Sequence, residues 1–126
     1  MKRTLAALLL LTLAACKRQA ETPLPPLKPA SPAGATNAER GKQLMTQYTC
    51  NACHVIPGVD GGGMIGPSLE QMASRPQIAN KFPNDPATMS RWLQNPQALD
   101  PNTTMPNLGV NEKDAQDMAA YLATLR

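Results

Sequence analysis

Cys50-Asn51-Ala52-Cys53-His54 is the stretch that most constrains this chain. Two thiols separated by two residues, followed at once by an imidazole, suit addition of both sulfurs to the vinyl groups of one porphyrin while the imidazole turns beneath the ring toward its iron. A bare Cys-x-x-Cys also occurs in zinc sites and in thioredoxin-like redox pairs. Zinc takes four ligands, and outside the motif the chain offers only Cys16 and no second histidine. A redox pair expects alternating strands and leaves His54 unexplained. The motif points to one covalently attached c-type haem.

A chain of 126 residues holds one small domain plus any targeting segment. Its aromatics are Tyr48, Phe82, Trp92 and Tyr121 alone, so the side chains bury little apolar surface for the length and a haem would supply much of the core. Thirteen prolines and eight glycines, with no run of alternating β-branched residues, predict an all-α fold of short helices and long loops wrapped around the ring.

Residues 1–15 combine a basic start, Lys2 and Arg3, with an apolar run from Leu5 to Ala15, as in an export signal. A membrane-spanning anchor is the alternative, but the run falls short of the roughly 20 residues a bilayer requires. Leu13-Ala14-Ala15-Cys16 resembles a bacterial lipobox, in which the cysteine is acylated and becomes the new N-terminus; the alternative is ordinary cleavage after Ala15 leaving a free thiol. With Cys16 assigned to lipid and Cys50 and Cys53 to haem, no disulfide is expected. Residues 16–36 then form the acylated cysteine and a tether bearing Pro23, Pro25, Pro26, Pro29 and Pro32. At about 3.1 Å per residue for polyproline geometry, its reach is at most roughly 60 Å. The tether carries Lys17, Arg18 and Lys28 against Glu21, a balance that favours anionic head groups. Residues 37–126 hold seven basic and eight acidic side chains, and removing Lys2 and Arg3 lowers the formal charge from +3 to +1. Nucleic-acid binding has no electrostatic support.

Within residues 37–126, Thr36 with Glu39 reads as a capping box for a helix running from about Asn37 to Thr49. Gly41 inside that helix costs about 1 kcal/mol against alanine, which implies close approach by a second helix. The glycines from Gly58 to Gly66 demand a loop. Three in succession invite a phosphate-loop reading, but no strand precedes them and no Gly-Lys-Ser/Thr follows; wrapping beside a flat ring fits better. Short helices are predicted over Pro67 to Ser74 and from Asp85 or Pro86 to Gln94, the latter stopped by Pro96. The last helix starts at Asn111 as N-cap, with Glu112, Asp114 and Asp117 near its positive end, and turns Ala115, Met118, Ala119, Leu122 and Leu125 toward the core.

His54 supplies one axial ligand. With no other histidine, a methionine sulfur is the natural second. Met45, Met72, Met89 and Met118 fall on helices and read as core, and Met64 sits in the glycine loop. Met105 lies in an extended Thr103-Thr104-Met105-Pro106 segment where proline blocks helix formation and the side chain can face the iron. The alternative is that Met105 packs on the ring edge and the sixth position is open, which would make the protein a haem sensor or peroxidase.

These residues resemble the class I c-type cytochromes over nearly all of 37–126. The resemblance rests on Cys50-x-x-Cys53-His54, Gly66-Pro67-x-Leu69, Trp92-Leu93-x-x-Pro96, Thr104-Met105-Pro106 and Ala119-Ala120-Tyr121-Leu122, in the family's order. It implies that the terminal helices cross at Gly41 and Tyr121, that the Pro67 carbonyl accepts the second N–H of His54, and that Arg75 and Trp92 meet the haem propionates. The long glycine loop and the lipid-bearing tether depart from the family pattern. The function implied is one-electron transfer at the outer, periplasmic face of a bacterial membrane, with no substrate turned over. Donors would be a quinol-oxidising complex or a dehydrogenase, and acceptors a terminal oxidase or reductase; the alternative is a haem c subunit of a larger dehydrogenase or oxidase complex.

Overall fold

The computed structural model describes residues 36–126, so the signal, Cys16 and nearly all of the tether lie outside the described residues. Four α-helices carry the fold: α1 Ala38–Gln47, α2 Pro86–Gln94, α3 Pro96–Leu99 and α4 Glu112–Leu122. Among the described residues no helix is long and apolar enough to cross a membrane.

Asn37, not Thr36, occupies the N-cap of α1, its side-chain oxygen accepting the Arg40 N–H at 2.9 Å. Both residue types cap well, and Asn37 is held in place because its own N–H donates to the Asp117 carboxylate at 2.8 Å. The helix also ends two residues short of Thr49, which turns into left-handed backbone (φ 56°) to begin a 3₁₀ turn at Cys50–Ala52. The helix expected over Pro67 to Ser74 reduces to a 3₁₀ turn at Met72–Ser74. Leu69 donates its N–H to the Val55 carbonyl and Gln71 adopts left-handed φ, so the preceding residues are committed to the loop. Asn111 caps α4 as the sequence predicts, accepting the Asp114 N–H, and Asp85 caps α2, which starts at Pro86, by accepting the Thr88 N–H.

Two features run against expectation. Pro96 stops α2 and also starts α3 as its first residue, with Asn95 as cap, because the missing proline N–H is one that a helix start leaves unbonded anyway. A two-residue antiparallel ladder, β1 Gln77–Ile78 with β2 Phe82–Pro83, sits between the 3₁₀ turn and α2. Its tip holds Ala79 and Asn80 both at positive φ.

Helix α4 packs on α1 and α2, and its apolar face, Ala115, Met118, Ala119 and Leu122, is buried with Leu44, Met45, Met89, Trp92 and Leu93. At the α1–α4 crossing a Cβ on Gly41 would stand 2.0 Å from the Asp117 carbonyl oxygen, which explains the glycine: a methyl there would force the helices apart. Tyr121, one turn further on, donates its hydroxyl to the Pro57 carbonyl, so the aromatic anchors the loop after the haem motif.

Polar groups close the same seam. Arg40 bridges Asp114 and Asp117, the latter at 2.5 Å, and Lys113 reaches Asp117 at 2.9 Å. Tyr48 donates to Asp114 at 2.7 Å. Burial alone would push the Asp117 carboxyl up, but the hydrogen bonds from Lys113, Arg40 and the Asn37 N–H outweigh it and hold the group below the usual carboxylate range. A carboxylate of lowered pKa contributes stability that is present above its unfolded value of about 3.9 and is lost as pH falls through the folded value. Denaturant unfolding of the haem-loaded protein should therefore show stability falling below about pH 4. Asp117→Asn should lower stability at neutral pH by about 1.5–3 kcal/mol, the range for a charged hydrogen bond, and flatten the acid slope. An unchanged acid slope would show that Asp117 does not carry it.

Candidate functional site

Thr49, with its left-handed backbone, ends α1 and lets residues 50–54 close on themselves: Cys53 and His54 both donate N–H to the Cys50 carbonyl, at 3.2 and 3.0 Å. This one turn puts Cys50, Cys53 and His54 on the wall of a single cavity of about 480 Å³. Among the described residues neither thiol is joined to another cysteine, and Cys50 is buried while Cys53 is partly exposed.

The glycine loop packs against this turn. Gly63 and Gly66 donate their N–H groups to the carbonyls of Asn51 and Cys53. A Cβ on Gly63 would lie 1.8 Å from the Ala52 carbonyl oxygen, and one on Gly66 would lie 2.4 Å from Cε1 of His54. The loop thus lies directly on the motif's backbone and against its imidazole. Its next residue supplies the Pro67 carbonyl, 2.7 Å from His54 Nδ1. A carbonyl only accepts, so Nδ1 carries the proton and Nε2 keeps the lone pair with which an imidazole binds metal.

Met105 also lines the cavity, half-buried, in the loop between α3 and α4. Its N–H donates to Thr103 Oγ1 at 3.2 Å and its carbonyl accepts from Gln97 Nε2 at 2.6 Å. Met45, Met72 and Met89 share the cavity wall but are buried in helical segments of the core, whereas Met64 is 91% exposed and lies off the cavity. Trp92 lines the cavity and packs on Phe82 with ring centroids 6.0 Å apart. Arg75 lines it too, with Nη2 donating to the carbonyls of Ser68 and Glu70, both at 2.8 Å. Every site residue expected in this domain thus lines one cavity, Pro67 also bracing His54.

Sequence reasoning missed Gln97, Asp100 with Lys81, and Ile65, which sits 85% exposed yet on the cavity rim. Nothing in their residue types separates them from surface positions; only the fold reveals their neighbours. The cavity's donor set fits a haem. Apolar walls suit a macrocycle, two thiols and an imidazole share one turn, and the volume is within the roughly 300–1,000 Å³ of small-molecule sites.

The family model for cytochrome c matches residues 38–126. The chain belongs to the cytochrome c family. A cytochrome c2 from Rhodomicrobium vannielii is 32% identical over 108 residues, an overlap that covers 75% of this chain and 84% of the relative. Family membership makes this a protein that binds one covalent haem c and transfers electrons with redox-protein partners; it is a carrier, not an enzyme.

The Gly66 contact separates steric need from loop flexibility. Gly66→Ala should displace the His54 ring and destabilise the haem-loaded protein by about 1–3 kcal/mol, as other over-packing substitutions do. Gly62, with nothing within 4 Å of its would-be Cβ, should accept alanine within about 0.5 kcal/mol. Equal melting of the two variants would contradict the contact.

Proposed function

We propose that this cytochrome c is a lipid-anchored, one-electron carrier of the bacterial periplasm in which Cys50 and Cys53 bond the haem and His54 and Met105 ligate its iron. The observation that carries this reading is the convergence of those four side chains on one cavity although Met105 lies more than fifty residues from the motif. The bound haem would supply the one-electron Fe(II)/Fe(III) couple. Pro67 orients His54 through its carbonyl, and Arg75 and Trp92, which line the same cavity, would hold the propionates. The soft thioether of Met105 favours the reduced iron and raises the potential. Met105 is preferred to Met45, Met72 and Met89 because its loop anchors both its N–H and its carbonyl while leaving the side chain outside a packed helix.

Export and anchoring rest on residues 1–36. Leu13-Ala14-Ala15-Cys16 supports acylation of Cys16, and the proline-rich segment to residue 36 supports a tether to the domain at 37–126. Thioether lipid plus a second acyl chain suffices for stable anchoring. Such a carrier would take electrons from a quinol-oxidising complex or a dehydrogenase and deliver them to a terminal oxidase or reductase. The nearly balanced charge of residues 37–126 gives no reason to invoke a nucleic-acid partner.

Oxidised protein should show a weak sulfur-to-iron charge-transfer band in the far red. In Met105→Ala that band should vanish, the potential should fall, and carbon monoxide should bind the reduced form readily; Met64→Ala should change none of these. A band that survives Met105→Ala would overturn the ligand assignment. Separately, mass spectrometry of the mature N-terminus should find Cys16 carrying diacylglycerol, and Cys16→Ser should release or misprocess the protein. An unmodified cysteine there would overturn the anchor.

A further inference from the structure

The Met105 loop is tied down at points remote from the sulfur. Gln97, on α3, donates Nε2–H to the Met105 carbonyl at 2.6 Å. Upstream, the Asp100 carbonyl accepts the Thr103 N–H at 3.0 Å, its Oδ1 accepts the Asn102 N–H at 3.2 Å, and its Oδ2 lies 2.5 Å from Lys81 Nζ. Lys81 follows Ala79 and Asn80, at φ values of 49° and 55°, a left-handed backbone that asparagine tolerates but that is costly for alanine. Such backbone persists where its surroundings hold it. The hairpin tip and the Met105 loop both line the cavity, and the Lys81–Asp100 ion pair joins them.

We propose that Gln97 and the Lys81–Asp100 pair are positioning residues that hold the Met105 sulfur on the haem iron, so that removing either loosens the sixth ligand while the domain stays folded. The proposal rests on Met105 as that ligand. A thioether is a soft donor and binds the harder ferric iron weakly, so occupancy of the sixth position depends on how firmly the loop presents the sulfur. Gln97 fixes the backbone of the ligand residue itself. Lys81 and Asp100 fix the base of the loop to the strained hairpin tip. The Lys81 side chain is 54% exposed, so its effect should be small and screened by salt.

Imidazole titration of the ferric, haem-loaded full chain reads this directly. An added ligand binds only when Met105 has left, so its apparent affinity rises with the open fraction. Gln97→Leu should tighten imidazole binding about fivefold to tenfold, the equilibrium worth of one net hydrogen bond. Lys81→Met should tighten it about twofold to threefold at low salt, with the difference gone near 1 M salt. Lys42→Met, which removes a charge away from the cavity, should match the wild type. A merely structural role would lower the melting temperature and leave imidazole affinity unchanged.

If Met105→Ala tightens binding while Gln97→Leu and Lys81→Met match the wild type, the proposal fails and Met105 stands as ligand. If the wild type already binds imidazole as tightly as Met105→Ala, the ligand assignment fails and the proposal with it. Should Gln97→Leu not retain haem, the solvent-exposed Lys81→Met decides alone: no tightening at low salt overturns the proposal.

Discussion

The close crossing of α1 and α4 is the constraint on which the rest of the structure depends. Gly41 lets the α1 backbone sit against the Asp117 carbonyl, and Arg40 spans the seam to two carboxylates on the facing helix. That crossing sets α1 against α4, and the haem motif begins just beyond the end of α1. The crossing also turns the apolar face of α4 toward both α1 and α2. A buried ion pair is weak evidence for net stability, because desolvation offsets much of its attraction. Its contribution here is register: Arg40 reaches its partners only when Gly41 and Asp117 are level, so charge and close packing select the same alignment.

From that crossing the site is built outward by backbone contacts rather than by side-chain bulk. The motif folds into one turn because Thr49 adopts left-handed backbone. The glycine loop then lies on the turn, with Gly63 against Ala52 and Gly66 against His54, and delivers the Pro67 carbonyl to the imidazole. Across the cavity the Met105 loop is held by a glutamine, a threonine hydroxyl and an ion pair to a two-stranded hairpin. An electron carrier gains from such stiffness, since ligands that stay in place through the redox change leave little to reorganise. The chain thus devotes its loops, usually its most mobile parts, to bracing the walls of one cavity.

Much of this was legible from the residues. Cys50, Cys53 and His54 name their chemistry by spacing, Met105 stands out through the proline that follows it, and Gly41 signals a close contact because a mid-helix glycine is otherwise costly. What stayed hidden depends on distance along the chain or on backbone that residue type does not announce. Thr36 and Asn37 are comparable caps, and only the Asn37 contact with Asp117, eighty positions away, decides between them. Asp117 interrupts an apolar face and reads as a helix-start acid until Arg40 is placed beside it. Ala79 gives no hint of positive φ, so the hairpin could not be foreseen. Gln97 lies on a helix too short to show a period.

Iron-edge X-ray absorption on the purified, oxidised full chain tests the central claim most directly, because it counts the atoms bonded to the metal without relying on any variant. One covalent haem ligated by His54 and Met105 predicts a single sulfur neighbour with nitrogen at every other position. A shell of nitrogen and oxygen without sulfur, or an iron with its sixth position open, would contradict the account.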